Sequence, residues 1–310
     1  MGAKHKTIHK EKHHFGWDNS LPPALVVAPG ETVEFEITDA SGGQLTRNSS
    51  HADVAKLDFS RVNPVTGPVY VEGAEPGDAL VVEILDFELS GWGWTAIIPG
   101  FGLLAEDFPN PFLHISEYDG REVRFTSEIR LPTRPFPGTI GVALKEPGVH
   151  SVVPPREVGG NMDIRDLTRG AKLYLPVQVP GALFSVGDTH AAQGDGEVCG
   201  TAVESAMKVL LRFGLQKQAG LPRPRFEIPE PPTRHIDAKG YEVTVGVAPD
   251  LMQAARDAVR DMIDHAGKKY GLSPEMAYAL ASVAVDLRIS EVVDAPNWIV
   301  TAYLPRSIFH

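Results

Sequence analysis

Glycine and proline interrupt the first three quarters of the chain so often that long helices have little room there. The 30 glycines and 26 prolines are 56 of 310 residues, about 18% against an average near 12%. Between them lie short apolar segments, the pattern of many strands joined by tight turns. Val33 to Asp39 alternates, with Val33, Phe35 and Ile37 on one face and Glu34, Glu36 and Thr38 on the other, which predicts a half-buried antiparallel strand. Arg121 to Leu131 reads the same way, setting Val123, Phe125, Ile129 and Leu131 against Glu122, Arg124, Glu128 and Arg130. The charged side of both should face water or a partner subunit. Pro29-Gly30, Pro76-Gly77 and Pro180-Gly181 each stand just ahead of an apolar segment. As the central pair of a type II turn, each can start a strand; a repeated β-unit is the competing account. The expected scaffold is mainly β, jelly-roll or sandwich-like.

The last seventy residues change character. Tyr241 to Val247 is a strand, and Asp250 caps a helix with the stripe Leu251, Ala255, Val259, Met262 and Ala266, Gln253 completing a capping box. Ser273-Pro274-Glu275 opens a second helix with Met276, Leu280, Val283 and Leu287 as its buried face, and Trp298 to Leu304 returns as a strand. The prolines Pro222, Pro224, Pro229, Pro231 and Pro232 precede this unit and predict a stiff spacer. The organisation is thus a β-rich core over 1–220, a proline-rich link over 221–240, and a β-α-α-β unit over 241–310 packing on the core, α+β taken together.

The formal charge of −11 repels phosphate backbones, so neither nucleic acid nor an anionic membrane is an expected partner. A small neutral or cationic ligand suits it better. The single cysteine, Cys199, excludes an intramolecular disulfide and a Cys-rich zinc module and fits a reducing compartment. Any metal site must rest on His, Asp and Glu. The basic N-terminus has no apolar run behind it, and no stretch approaches about 18 apolar residues. A soluble, cytoplasmic protein is expected.

The densest run of chemically active residue types is Gly187-Asp188-Thr189-His190-Ala191-Ala192-Gln193-Gly194-Asp195-Gly196-Glu197. On a strand Asp188 and His190 leave from one face, and Asp195 and Glu197 repeat that spacing beyond a possible turn. If the segment doubles back, the four side chains form an oxygen and nitrogen donor set for a divalent ion, zinc before manganese or calcium, with a carboxylate to spare as a base. An Asp-Gly turn with solvated carboxylates is the plainer account. Asp39, at the end of its strand, and His14 can add ligands because loops converge at one end of a sandwich. Trp94, in Gly91-Trp92-Gly93-Trp94, and Phe101, in Ile98-Pro-Gly-Phe101-Gly102, offer aromatic walls or, equally, core packing. Asn161 and Asp163, behind Gly159-Gly160, supply an amide and a carboxylate suited to a small amide's carbonyl and amino groups; an Asx-type turn competes.

Asn63-Pro64-Val65-Thr66-Gly67-Pro68-Val69, Gly160-Asn161-Met162-Asp163-Ile164-Arg165-Asp166-Leu167 and the Gly187–Glu197 run together resemble the acetamidase/formamidase family, over nearly the whole chain. The resemblance implies hydrolysis of short-chain amides to carboxylate and ammonia by a mainly β, cytoplasmic homo-oligomer, with Val198 to Phe213 largely extended. Leu144 stands where the family pattern leads one to expect proline, a change that can alter substrate size. On this activity a divalent ion on Asp188 and His190, completed by Asp39 or His14, activates water, and Glu197 is the general base. Asn161 and Asp163 orient the amide and Trp94 contacts it. Two alternatives are a Cys199 nucleophile and a non-catalytic sandwich that binds a metal or small ligand.

Overall fold

The alternating segments become paired strands in a computed structural model that describes residues 5–228, 239–293 and 295–310. One sheet runs, in spatial order, Lys6–Ile8, Thr32–Glu36, Met207–Gln216, Ala79–Leu89, Lys172–Pro176 and Arg225–Glu227. A second runs Gly159–Asn161, Phe136–Gly141, Phe184–His190, Val65–Val71 and His13–His14, with Leu25–Val27 parallel to Val65–Val71. The apolar faces of both meet in one cluster, where Val33, Phe35, Val82, Val209 and Phe213 of the first sheet pack with Val69, Ile140, Phe184 and Val186 of the second. Phe184 meets Phe35 and Phe213 edge-on at centroid distances of 5.8 and 5.1 Å, the arrangement ring quadrupoles favour.

Each Pro-Gly pair is the centre of a turn closed by an i to i+3 hydrogen bond: Glu31 N to Ala28 O at 3.1 Å, Asp78 N to Glu75 O at 3.0 Å, and Ala182 N to Val179 O at 3.0 Å. Gly30, Gly77 and Gly181 take the positive φ of 97°, 95° and 75° that a type II turn demands at this position. Arg121 to Leu131 is not one strand but a hairpin, Glu122–Arg124 against Arg130–Pro132, with Val123 opposite Leu131. Thr126 Oγ1 accepts from Ile129 N at 3.0 Å and folds the segment. The four apolar side chains are all buried because the two arms share a face, and Arg130 pairs with Glu122 at 2.8 Å outside.

The hairpin belongs to a four-stranded sheet, Trp92–Ile97, Phe112–Tyr118, Glu122–Arg124 and Arg130–Pro132 in order. The C-terminal helices share a second core with it and with the 191–203 segment. The first helix spans Leu251–Tyr270; Asp250 accepts from Gln253 N, and Gly271 ends the helix at φ 67°. Gln253 turns its amide to Asp257 instead of back to Asp250 N, so only half of the expected box forms. Gly246, in the strand Tyr241–Ala248, has no room for a Cβ, which would lie 1.8 Å from Ala254 O; this lets the helix rest on the strand. The second helix, Pro274–Ala284, is buried from Ala277 to Ala284 all round and stops before Leu287. Leu287 instead sits in a strand the sequence reading lacked, Asp286–Glu291, which pairs with Trp298–Pro305. Glu242 anchors the first helix, since Lys269, His265 and Tyr270 all donate to its carboxylate. Within the proline-rich stretch, Arg225–Glu227 is an edge strand with Phe226 opposite Leu173; Pro229, Pro231 and Pro232 lie outside the described residues.

Candidate active site

The Phe184–His190 strand delivers two donors at its end. Asp188 and His190 do leave from the same face, with His190 Nε2 3.1 Å from Asp188 Oδ1. Beyond His190 the chain makes the predicted turn, but the second arm divides. Gly196 at φ 110° and Glu197 at φ 43° break the alternation. Glu197 faces the cavity, whereas Asp195 is half-exposed and pairs with Arg165 Nε at 3.1 Å.

The partner that takes Asp195's expected place is Glu204, whose Oε2 is 3.0 Å from His190 Nε2. Its backbone is clamped to Trp94 by a pair of hydrogen bonds of 2.9 and 2.8 Å. Asp163 closes the cluster. The ligand atoms of Asp163, His190 and Glu197 lie within 4.8 Å of one another, as do those of Asp188, His190 and Glu204. Four carboxyl groups thus surround one imidazole, with Asp188, His190 and Glu204 buried and Asp163 and Glu197 half-buried.

The electrostatics follow from that crowding. Burial, then the charge of Asp188, pushes Asp163 up to about 7. Burial raises Glu204 to about 8, and burial together with Asp163 holds Glu197 well above the ordinary carboxylate range. His190 moves up despite burial, because Glu204 and Asp188 flank it; Asp188 moves down despite burial, because His190 faces it.

His190 Nδ1 lies 2.9 Å from Gln193 Oε1, and Gln193 Nε2 donates to Asp163 O at 2.8 Å, which fixes the amide's orientation. Nδ1 therefore carries the hydrogen, and the Nε2 lone pair of a neutral ring would point at two carboxylates. Either a proton or a cation must lie between them. Two further observations fit a cation. Among the described residues no N–H or alcohol hydroxyl donates to the buried Asp163 Oδ1, and the Glu197 carboxyl is the acid beside it. Gly138, in the strand Phe136–Gly141, leaves an open cradle, since a Cβ there would lie 2.6 Å from Asp163 Oδ1 and 2.9 Å from Asp188 Oδ2. Carboxylate and imidazole donors of this kind suit zinc or manganese.

Asp39 and His14 do not complete this shell, and neither belongs to the cluster. Asp39 Oδ1 accepts from Ser41 N and from the Trp94 indole, both at 3.0 Å, so it holds Trp94 in place. His14 bonds Gly16 O at 2.7 Å and Ser185 Oγ at 2.8 Å, and burial lowers its pKa, as suits a neutral ring tied to the scaffold. Cys199 is buried behind the site, its thiol donates to Ala96 O, and burial raises its pKa. It does not line the cavity, so a thiolate nucleophile has neither access nor activation.

Above the cluster opens a cavity of about 290 Å³ that Asn161, Asp163, Asp188, Glu197 and Glu204 line on the polar side and Trp94 on the wall. Trp94 is both wall and core, 2% exposed. Asn161 Oδ1 accepts from Thr139 Oγ1 at 2.6 Å and from Asn63 Nδ2 at 3.0 Å. Leu144 is not among the lining residues. Asn63, Asp163, Asp188 and Glu197 all adopt left-handed backbone, at φ 51°, 50°, 55° and 43°. Four strained non-glycine residues at one cavity mark a site whose geometry the surrounding structure enforces.

The profile of the acetamidase/formamidase family matches residues 2–147 and 144–310. The chain belongs to that family. It is 32% identical to a formamidase of Methylophilus methylotrophus, over 96% of this chain and 89% of the relative, and 30% identical to an acetamidase of Mycolicibacterium smegmatis, over 86% and 84%. Among solved structures, it is similar to a gamma lactamase from Delftia acidovorans at a TM-score of 0.90 and 31% identity, over 98% of this chain and 93% of that one. An acetamidase from Bacillus halodurans superposes at a TM-score of 0.69 with 34% identity, over 96% of each. No helix among the described residues is long and apolar enough to cross a membrane. Within this family fold, the residues that sequence reasoning missed are Glu204, Asn63, Thr139, Gln193 and Gly138.

Proposed function

We propose that the chain hydrolyses the C–N bond of short-chain amides at the Asp163, Asp188, His190, Glu197 and Glu204 cluster. The observation that carries this reading is His190 Nε2, held between Asp188 and Glu204 with its other nitrogen committed to Gln193. When bound among these donors, a divalent cation, zinc before manganese, would supply positive charge for a developing oxyanion and acidify a water.

The chain's own groups do the rest. Asn161, its Oδ1 fixed by Thr139 and Asn63, offers its Nδ2 hydrogens to the amide carbonyl. Trp94 and the cavity wall restrict the planar amide and exclude bulk water. Glu197, a stronger base than an exposed carboxylate because its pKa is raised, takes a proton from water as the water oxygen adds to the amide carbon. It returns that proton to the nitrogen as the C–N bond breaks, leaving the carboxylic acid and ammonia, which become carboxylate and ammonium when the acid gives up its remaining proton. Asp163, on the same side of the cavity, orients the amino group.

The decisive experiment is ammonia release from formamide, acetamide and propionamide, with metal analysis and dialysis against chelator. Activity that falls on chelation and returns with zinc or manganese is expected; full activity in metal-free protein would refute the cation. Glu197→Gln should lower kcat by about 10²- to 10⁴-fold, and normal turnover would remove Glu197 from its role. The protein is on this reading a soluble cytoplasmic homo-oligomer, which the net charge of −11, the single cysteine and family membership support.

A further inference from the structure

The cavity is larger, and its lining more apolar, than the smallest amides need. At about 30 Å³ for each water-sized atom, 290 Å³ holds roughly ten non-hydrogen atoms. Formamide has three such atoms and acetamide four. The carboxylates Asp188 and Glu204 in the lining are buried, while Leu57, Phe59, Val62, Phe101 and Val153 are its partly or fully exposed apolar members. Three of these are large exposed apolar side chains: Phe59 at 61%, Phe101 at 44% and Val153 at 41%. Scattered exposed apolar residues need no explanation, but these come from three segments distant in sequence and converge over one opening. Among the described residues no lysine or arginine lines the cavity, and Asp163, Asp188, Glu197 and Glu204 make it acidic, so an acyl group bearing a carboxylate has no partner among them.

We propose that the preferred substrates are neutral primary amides whose apolar acyl group, about four to seven carbons long, fills the outer half of the cavity against Phe59, Phe101 and Val153. This rests on the hydrolytic reading above and names the specificity of that site. Because the reacting amide stays at the floor, each added methylene buries apolar surface without disturbing the chemistry.

The test is kcat/KM, by ammonia release, for the linear amides from formamide to octanamide, with benzamide and succinamate alongside. The expected series rises about fourfold per methylene beyond acetamide, levels off near hexanamide as the cavity fills, accepts benzamide and rejects succinamate. A maximum at formamide or acetamide overturns the acyl assignment while leaving hydrolysis intact. Absence of turnover with every amide refutes hydrolysis and the assignment with it. Phe59→Ala and Phe101→Ala, at exposed positions that truncation leaves folded, should each lower the hexanamide-to-acetamide ratio of kcat/KM by at least about fivefold. An unchanged ratio in both, or in a third variant Val153→Ala combined with them, overturns the proposed wall.

Discussion

Asp286→Asn should destabilise the protein and disorder its active site from a position outside the cavity. Arg165 is 4% exposed and Asp286 is 1% exposed. Arg165 Nη2 donates to Asp286 Oδ2 at 3.0 Å, Nη1 donates to Oδ1, and Nε faces Asp195 at 3.1 Å. Burial opposes the charge on Arg165, and Asp286 more than offsets it, keeping the guanidinium's pKa up. Removing the carboxylate charge leaves a buried cation facing the half-exposed Asp195 and, more weakly, Asp166. Breaking a buried pair in this way costs about 3–5 kcal/mol. For 310 residues the unfolding entropy near 60 °C is about 0.65 kcal/mol per kelvin, so Tm should fall by about 5–8 °C. Activity should fall as well, because Arg165 lies two residues after Asp163, and Leu287 N donates to Asp195 O, two residues before Glu197. Calorimetry and steady-state kinetics on the same preparations give both quantities. Replacing both partners with apolar residues, Arg165→Met with Asp286→Leu, should recover most of the stability, since it removes the unpaired charge along with the pair. A Tm loss below about 2 °C in the single variant, or a double variant worse than the single one, would refute the account.

Other outcomes follow from the same geometry. Gly138→Ala should abolish turnover and metal retention with an unchanged far-ultraviolet spectrum, because its Cβ enters the space between Asp163, His190 and Asp188; retained metal would refute the cradle. Cys199→Ala should keep turnover within about twofold of the parent, whereas a loss beyond about tenfold would restore the thiol as a candidate nucleophile. Glu242 has its pKa lowered to about 2, since Lys269, His265 and Tyr270 together outweigh burial. A depressed carboxylate contributes stability above its unfolded pKa and loses it as pH falls, so Glu242→Gln should narrow the stability difference between pH 6 and pH 3. The effect should be about 1–2 kcal/mol after screening at the exposed ends of Lys269 and His265, and is read from urea midpoints at the two pH values. Identical midpoint shifts in parent and variant would exclude it.

What was legible in the sequence was local. Val33 and Phe35 announce their strand because alternate residues share a face, and Asp250 and Ser273 announce their helices because capping acts over one turn. Asp188, His190 and Glu197 stood out through density within eleven residues. Glu204 did not, because it lies beyond that run, and only direct backbone pairing of 189–192 with 203–205, together with its pairing to Trp94, returns it to His190. Its only mark was being a lone charge in the small and apolar run 198–207. Thr139 and Gly138 come from the strand Phe136–Gly141 and carry no local sign of the site; Asn63, in the loop before Val65–Val71, opens a recognisable motif, but nothing in that motif assigns it a role. Asp39 and His14 misled because strand ends do converge, but short hydrogen bonds had already claimed their polar atoms. Leu287 fitted the helical stripe by spacing, and only the end of the helix at Ala284 assigns it to a strand.

The left-handed backbone of Asn63, Asp163, Asp188 and Glu197 sets thermal robustness against turnover in this protein. A side chain held at such angles carries about 1 kcal/mol or more of strain, which glycine would relieve at any of the four. Selection for stability alone would therefore erode the site one residue at a time, trading each functional side chain for a firmer fold. A stabilised variant that keeps its activity must find its gains elsewhere, in the turns and helix ends, and leave these four angles under tension.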